Sequence, residues 1–101
     1  LKNFVKNRKK IDFIFIDGGH SLDTIKIDWK YVQMLLHNKS VVLFDDFYSN
    51  NRKLSKKFGC NFIFENKKFN RKYAIKLLPF TDCFGNKKNR KCIKIMKVTK
   101  K

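Results

Sequence analysis

Four side chains have types and spacing that could do chemistry together. Asp17 closes a nearly continuous apolar run over residues 11–16, and His20 follows three residues later. Asp45 and Asp46 close a second, shorter apolar run over residues 41–44. A carboxylate just after a strand often only caps a turn. Three carboxylates at the ends of two neighbouring strands are different. They repel one another unless a cation sits between them, and a hard divalent ion such as Mg²⁺ prefers such oxygen ligands. A histidine beside that ion could act as a general base, because the metal acidifies a bound hydroxyl and the imidazole can take its proton. By position alone, His20 could equally be a polar residue ahead of a helix.

The elements that would position these groups follow from the flanking sequence. Residues 11–16 (Ile-Asp-Phe-Ile-Phe-Ile) are rich in β-branched and aromatic side chains, which suits a strand covered on both faces. Gly18 and Gly19 permit a sharp turn. Ser21 is a good helix N-cap, and Asp23 lies in the first turn, where the helix dipole favours negative charge. Leu22, Ile25, Trp29, Val32 and Leu36 recur at helical spacing, and His37-Asn38 is a plausible helix end. Trp29 on this stripe is expected in the core, and His37 is assigned no role.

Strand, turn, helix, turn and strand over residues 11–46 make a βαβ unit, whose two strands are parallel neighbours. Both acidic strand ends then lie on one sheet edge, on strands about 4.8 Å apart, and ligands of open α/β sheets bind at that edge. Downstream, residues 49–58 predict a short basic helix ended by Gly59, and residues 61–64 an extended segment. Residues 73–78 and 92–98 predict two more strands, the latter half-exposed, joined by a loop over residues 79–91.

The chain has 101 residues, 25 Lys+Arg and 8 Asp+Glu, a net charge of +17. One domain over residues 1–101 is expected at this size. The charge invites a nucleic-acid reading. Against it, Lys supplies 21 of the basic residues and Arg, the bidentate reader of bases and phosphates, only four. Lys, Asn, Phe and Ile together make up 51 residues, and all four can be encoded by A/T-rich codons. Residues 12–46 hold six acids and three bases and are net −3, inside a remainder of +20. The only legible chemistry therefore sits in an acidic island. No apolar run is long enough to span a membrane. Cys60, Cys83 and Cys92 form no C-x-x-C pair, so reduced thiols and a cytoplasmic location are expected.

The run Phe15-Ile16-Asp17-Gly18-Gly19-His20-Ser21, followed by a helix and then Val42-Leu43-Phe44-Asp45-Asp46-Phe47, resembles the class I S-adenosylmethionine-dependent methyltransferases. More narrowly, it resembles metal-dependent O-methyltransferases of the macrolide-sugar and catechol type. The resemblance implies a partial Rossmann-like α/β sheet: the βαβ core over residues 11–46, a short helix, and a C-terminal antiparallel strand pair over residues 72–98. It implies Asp17, Asp45 and Asp46 as metal ligands, His20 as the base, S-adenosylmethionine and Mg²⁺ as cofactors, and a small-molecule hydroxyl acceptor, with a sugar among the candidates.

That family's cofactor half, with its Gly-rich turn, precedes the matching region, and none of the four glycines here lies in such a setting. The chain is therefore expected to be the C-terminal half of a methyltransferase domain, inactive on its own, with the edge of its first strand open or covered by residues 1–10. Two other readings compete: a basic nucleic-acid-binding module with a vestigial acidic site, and another metal-using α/β enzyme.

Overall fold

A computed structural model describes residues 10–17, 21–50, 52–88 and 90–101. The elements are β1 (Ile11–Ile16), α1 (Leu22–Leu35), β2 (Leu36–Tyr48), α2 (Arg52–Ser55), α3 (Asn61–Glu65), α4 (Lys67–Lys72), β3 (Tyr73–Phe84) and β4 (Lys91–Lys100). The four strands form one mixed sheet in the order β1-β2-β4-β3. β1 and β2 run parallel, and β4 is antiparallel to both β2 and β3. The expected α/β architecture, with a βαβ unit leading into an antiparallel pair, is what forms. The edge of β1 away from β2 pairs with no described strand, and residues 1–9, expected as its alternative cover, lie outside the described residues.

α1 starts as its sequence dictates. The Ser21 hydroxyl accepts a hydrogen bond from the Thr24 amide, and Asp23 occupies the first turn. The Leu22 amide, otherwise an orphan of the first turn, donates to the Lys57 carbonyl at 2.9 Å. Ile25, Trp29 and Val32 share one buried cluster with Ile16 of β1, Val42 and Phe44 of β2 and Met96 and Val98 of β4, and Leu35 is buried as well. Trp29 is core, as expected. Phe44, Phe69 and Tyr73 present their rings to it edge-on, with centroids 5.2–5.7 Å away.

Several local expectations are corrected. α1 ends at Leu35, not at His37-Asn38, because Leu36 is already extended and buried. Between the pairs Ile11↔Leu36 and Phe13↔Val41, β2 carries extra residues. Buried Ser40 closes that excursion by accepting from the His37 amide and donating to the Ile11 carbonyl. Lys39 donates its amide to His37 Nδ1, which leaves Nε2 to pair with the exposed Asp12 carboxylate. β1 is not covered on both faces. Ile14 and Ile16 face the core, whereas Phe13 and Phe15 on the opposite face are 56% and 49% exposed.

The basic helix after β2 shortens to Arg52–Ser55, and Gly59 follows at φ +82°. Residues 61–64, expected as extended, are helical. Buried Asn61 and Ile63 hold that turn in place, and their contacts with the sheet override a β-like composition. The expected loop over residues 79–91 shrinks, because β3 runs on to Phe84. Pro79 is tolerated inside the strand because it falls in a bulge between Leu77↔Met96 and Thr81↔Lys94. On β4, Met96 and Val98 form the buried face, while Ile93 and Ile95 lie on the other face with Lys97.

The cysteines also depart from expectation. Cys83 and Cys92 face each other across β3 and β4 and form a disulfide, and only Cys60 remains a free, buried thiol. The chain-entropy account gives a loop of this length on the order of 2–3 kcal/mol of stabilisation. Cys83→Ser is expected to lower the urea midpoint under oxidising conditions and to match the wild type in dithiothreitol. Equal midpoints in both conditions would exclude the cross-link.

Candidate functional site

The parallel register builds the site. Ile16 pairs with Phe44, so Asp17 and Asp45 are each the next residue beyond the last β1–β2 pair. The expected end of the second strand at Asp45 and Asp46 is corrected: β2 runs on to Tyr48, because Phe47 and Tyr48 stay paired with Lys94 and Ile93 of β4. Asp46 follows in a left-handed conformation, φ 61°, which Asp tolerates better than most non-glycine residues. The Asp45 carboxylate accepts a hydrogen bond from the Asp46 amide at 2.9 Å.

The conformation of Asp46 belongs to a bulge. Phe44 pairs with Met96 and Phe47 with Lys94, so Asp45 and Asp46 together oppose the single residue Ile95. One extra residue bends the strand and re-aims its side chains, and such bulges cluster beside functional sites. On the other flank of β4, the β3 bulge around Pro79 opposes the same residue. Between the two bulges lies a cleft of about 220 Å³ lined by Asp45, Phe80, Thr81, Asp82, Ile93, Lys94 and Ile95.

Electrostatics couples the acids. Burial first, then the charges of Asp45 and Asp17, push the Asp46 carboxyl above the ordinary carboxylate range. Burial, with help from Asp46, Cys60 and Asp45, likewise raises Tyr48. Burial drives the Cys60 thiol up so far that it stays protonated and inert. The site thus carries negative charge that no described cation balances at close range. Its donor chemistry, hard carboxylate oxygen, suits a divalent ion. Among the described residues, however, no three His, Cys, Asp or Glu side chains are grouped so as to hold one. Asp17, Asp45 and Asp46 share an edge without closing a chelate. His20, with Gly18 and Gly19, lies outside the described residues.

Gly59 and Asn61 escaped the sequence reading. A Cβ on Gly59 would overlap the Asp46 carbonyl oxygen and sit 2.8 Å from the Tyr48 ring, and its φ of +82° independently disfavours a side chain. The Cys60 thiol points at the Asp45 carbonyl from 3.8 Å. The available signal was a glycine 13 and 14 residues after the two acids, and it reads as an ordinary helix stop.

The fold and the site define an α/β protein with one aspartate at the end of β1 and an acidic pair in a bulge of β2, just beyond the last pair of the parallel strands. Residues 1–47 match the model of a family described as a methyltransferase domain. The match takes in β1, α1 and all of β2 but Tyr48, and it ends at Phe47, one residue past the acidic pair. It supports a methyltransferase domain over that segment, and such a domain implies use of S-adenosylmethionine. No curated protein and no solved structure matches the chain. No helix among the described residues is long and apolar enough to cross a membrane.

Two outcomes follow. Gly59→Ala is expected to destabilise the fold by about 1–3 kcal/mol, since a side chain must be forced into a left-handed, occupied position; an unchanged denaturation midpoint would refute the close approach to Asp46. The raised Asp46 pKa means that the folded state holds this proton more tightly than the unfolded chain. Its contribution to stability is therefore present below the ordinary carboxylate pKa and is lost as pH rises through the raised folded value. Asp46→Asn, which tolerates the same backbone conformation, is expected to melt above the wild type at neutral pH in metal-free buffer. The difference should vanish at acid pH.

Proposed function

We propose that this chain carries the metal-assisted half of an S-adenosylmethionine-dependent O-methyltransferase. The observation that carries the reading is the β1–β2 register, which brings Asp17 and the Asp45–Asp46 bulge to one strand edge inside the segment that matches a methyltransferase domain. In this reading the carboxylates of Asp17, Asp45 and Asp46 hold a divalent cation of the Mg²⁺ type, and its charge offsets both the burial and the neighbouring carboxylates that raise the Asp46 pKa. The ion, when bound, would lower the pKa of an acceptor hydroxyl.

The chain's own groups do the rest. His20, three residues after Asp17, would take the hydroxyl proton at an imidazole nitrogen. The cleft beside Asp45 would receive a small hydroxyl-bearing acceptor, with the Phe80 ring and the Lys94 ammonium along its wall. The methyl group would pass from the cofactor's sulfonium to the acceptor oxygen, leaving the neutral thioether. Residues 1–101 are read here as the C-terminal half of that domain, with residues 11–46 as its βαβ core. The cofactor's glycine loop would come from chain outside these residues, so metal binding and not turnover is the property to measure.

Isothermal titration of the 101-residue chain with MnCl₂ or MgCl₂ is expected to show one site, which Asp17→Asn and Asp46→Asn each abolish. A wild-type chain that binds neither ion, or variants that bind as the wild type does, would sink the metal-assisted reading. The methyltransferase match would still stand.

A further inference from the structure

The bend that carries Asp45 and Asp46 needs an anchor. A non-glycine residue at φ 61° inside a strand persists only where its surroundings over-determine it. Along β4 the bulge is held between the ladder pairs Phe44↔Met96 upstream and Phe47↔Lys94 and Tyr48↔Ile93 downstream. On the opposite edge of β2, where β1 has ended, Tyr48 is held by a side chain. Its backbone amide donates to Asn61 Oδ1 at 2.9 Å, and its carbonyl accepts from Asn61 Nδ2 at 2.9 Å. Asn61 is 5% exposed, so this pair of bonds is sheltered from competing water.

One carboxamide thus serves Tyr48 as the peptide group of a neighbouring strand would. β1 has already ended at that level, since its last pair with β2 is Ile16↔Phe44. Asn61 satisfies that edge of Tyr48 with no further strand residue beside it among the described residues.

We propose that Asn61 is a positioning residue for the acidic pair. By clamping Tyr48 it holds Asp46 in its left-handed conformation and keeps the Asp45 and Asp46 carboxylates at the strand edge. This rests on the reading of the pair as a cation site only for its functional consequence; the conformational claim stands apart from it. Removing a group that orients ligating carboxylates typically weakens metal affinity 10–100-fold.

The test compares Asn61→Ala with Ser40→Ala. The control removes a buried hydrogen-bonding side chain from the other end of the same strand, far from the acids. Both variants are studied below their melting temperatures, with circular dichroism confirming the fold. If Asn61→Ala does not fold, Asn61→Ser, which cannot bridge both Tyr48 groups, replaces it. Scalar couplings and amide–Hα contacts report the φ of Asp46 by NMR, and calorimetry reports Mn²⁺ affinity. The expected result is that the Asn61 variant loses the left-handed Asp46 and binds Mn²⁺ at least about tenfold more weakly, while Ser40→Ala keeps both. An Asp46 that retains its φ in the folded Asn61 variant overturns the proposal. A wild type that ignores Mn²⁺ while the Asn61 variant still shifts Asp46 overturns the cation-site reading and leaves the clamp intact.

Discussion

The single extra residue opposite Ile95 is the constraint on which the site depends. It turns two consecutive aspartates away from the regular alternation of β2 and makes them a pair at the sheet edge. The conformation is costly for an L-residue, and it is tolerated because three consecutive residues far along the chain converge on it. Gly59 gives the Asp46 carbonyl room, Cys60 covers the Asp45 carbonyl, and Asn61 bonds the strand beyond. The helical turn that begins at Asn61 is thus a brace for the acidic pair as well as a connection to β3.

The charge of the chain looks different beside this geometry. The excess of lysine surrounds a segment in which Asp17 and Asp45 act on the Asp46 carboxyl at the bulge of β2. The two features belong to different scales. The lysines are spread along the whole sequence, while Asp17, Asp45 and Asp46 are brought together by one parallel register. Only the focused charge is built into a specific backbone arrangement.

The βαβ unit was legible in the sequence because every local signal agreed. The Ser21 cap, the 3-4 spacing through Trp29, and abrupt acidic strand ends all demanded the same arrangement, and the structure contains it. The boundaries that moved did so where tertiary contacts outweigh local preference. Leu36 extends early because it is buried, and Pro79 stays in a strand because a bulge excuses its missing N–H. Residues 61–64 look like a strand by composition and become a helix, because Asn61 must present its carboxamide to Tyr48. The acids of the site were visible as residue types at strand ends. Their brace was not, since an asparagine that replaces a strand partner has no periodicity to betray it. The Cys83–Cys92 link was hidden for a related reason: it depends on the β3–β4 register, which the two-residue excess around Pro79 sets.

The strand order also has a consequence for how the protein is made. Among the described strands β3 pairs only with β4, and β4 lies between β2 and β3. On a ribosome, β1, α1 and β2 emerge as a local unit able to associate at once. β3 then emerges with no partner available, and the sheet closes only when the strand after it arrives. Until that moment the β4-facing edge of β2 and the edge of β3 that β4 will pair are open, so the interval before β4 appears is when the nascent chain is most exposed to wrong pairing.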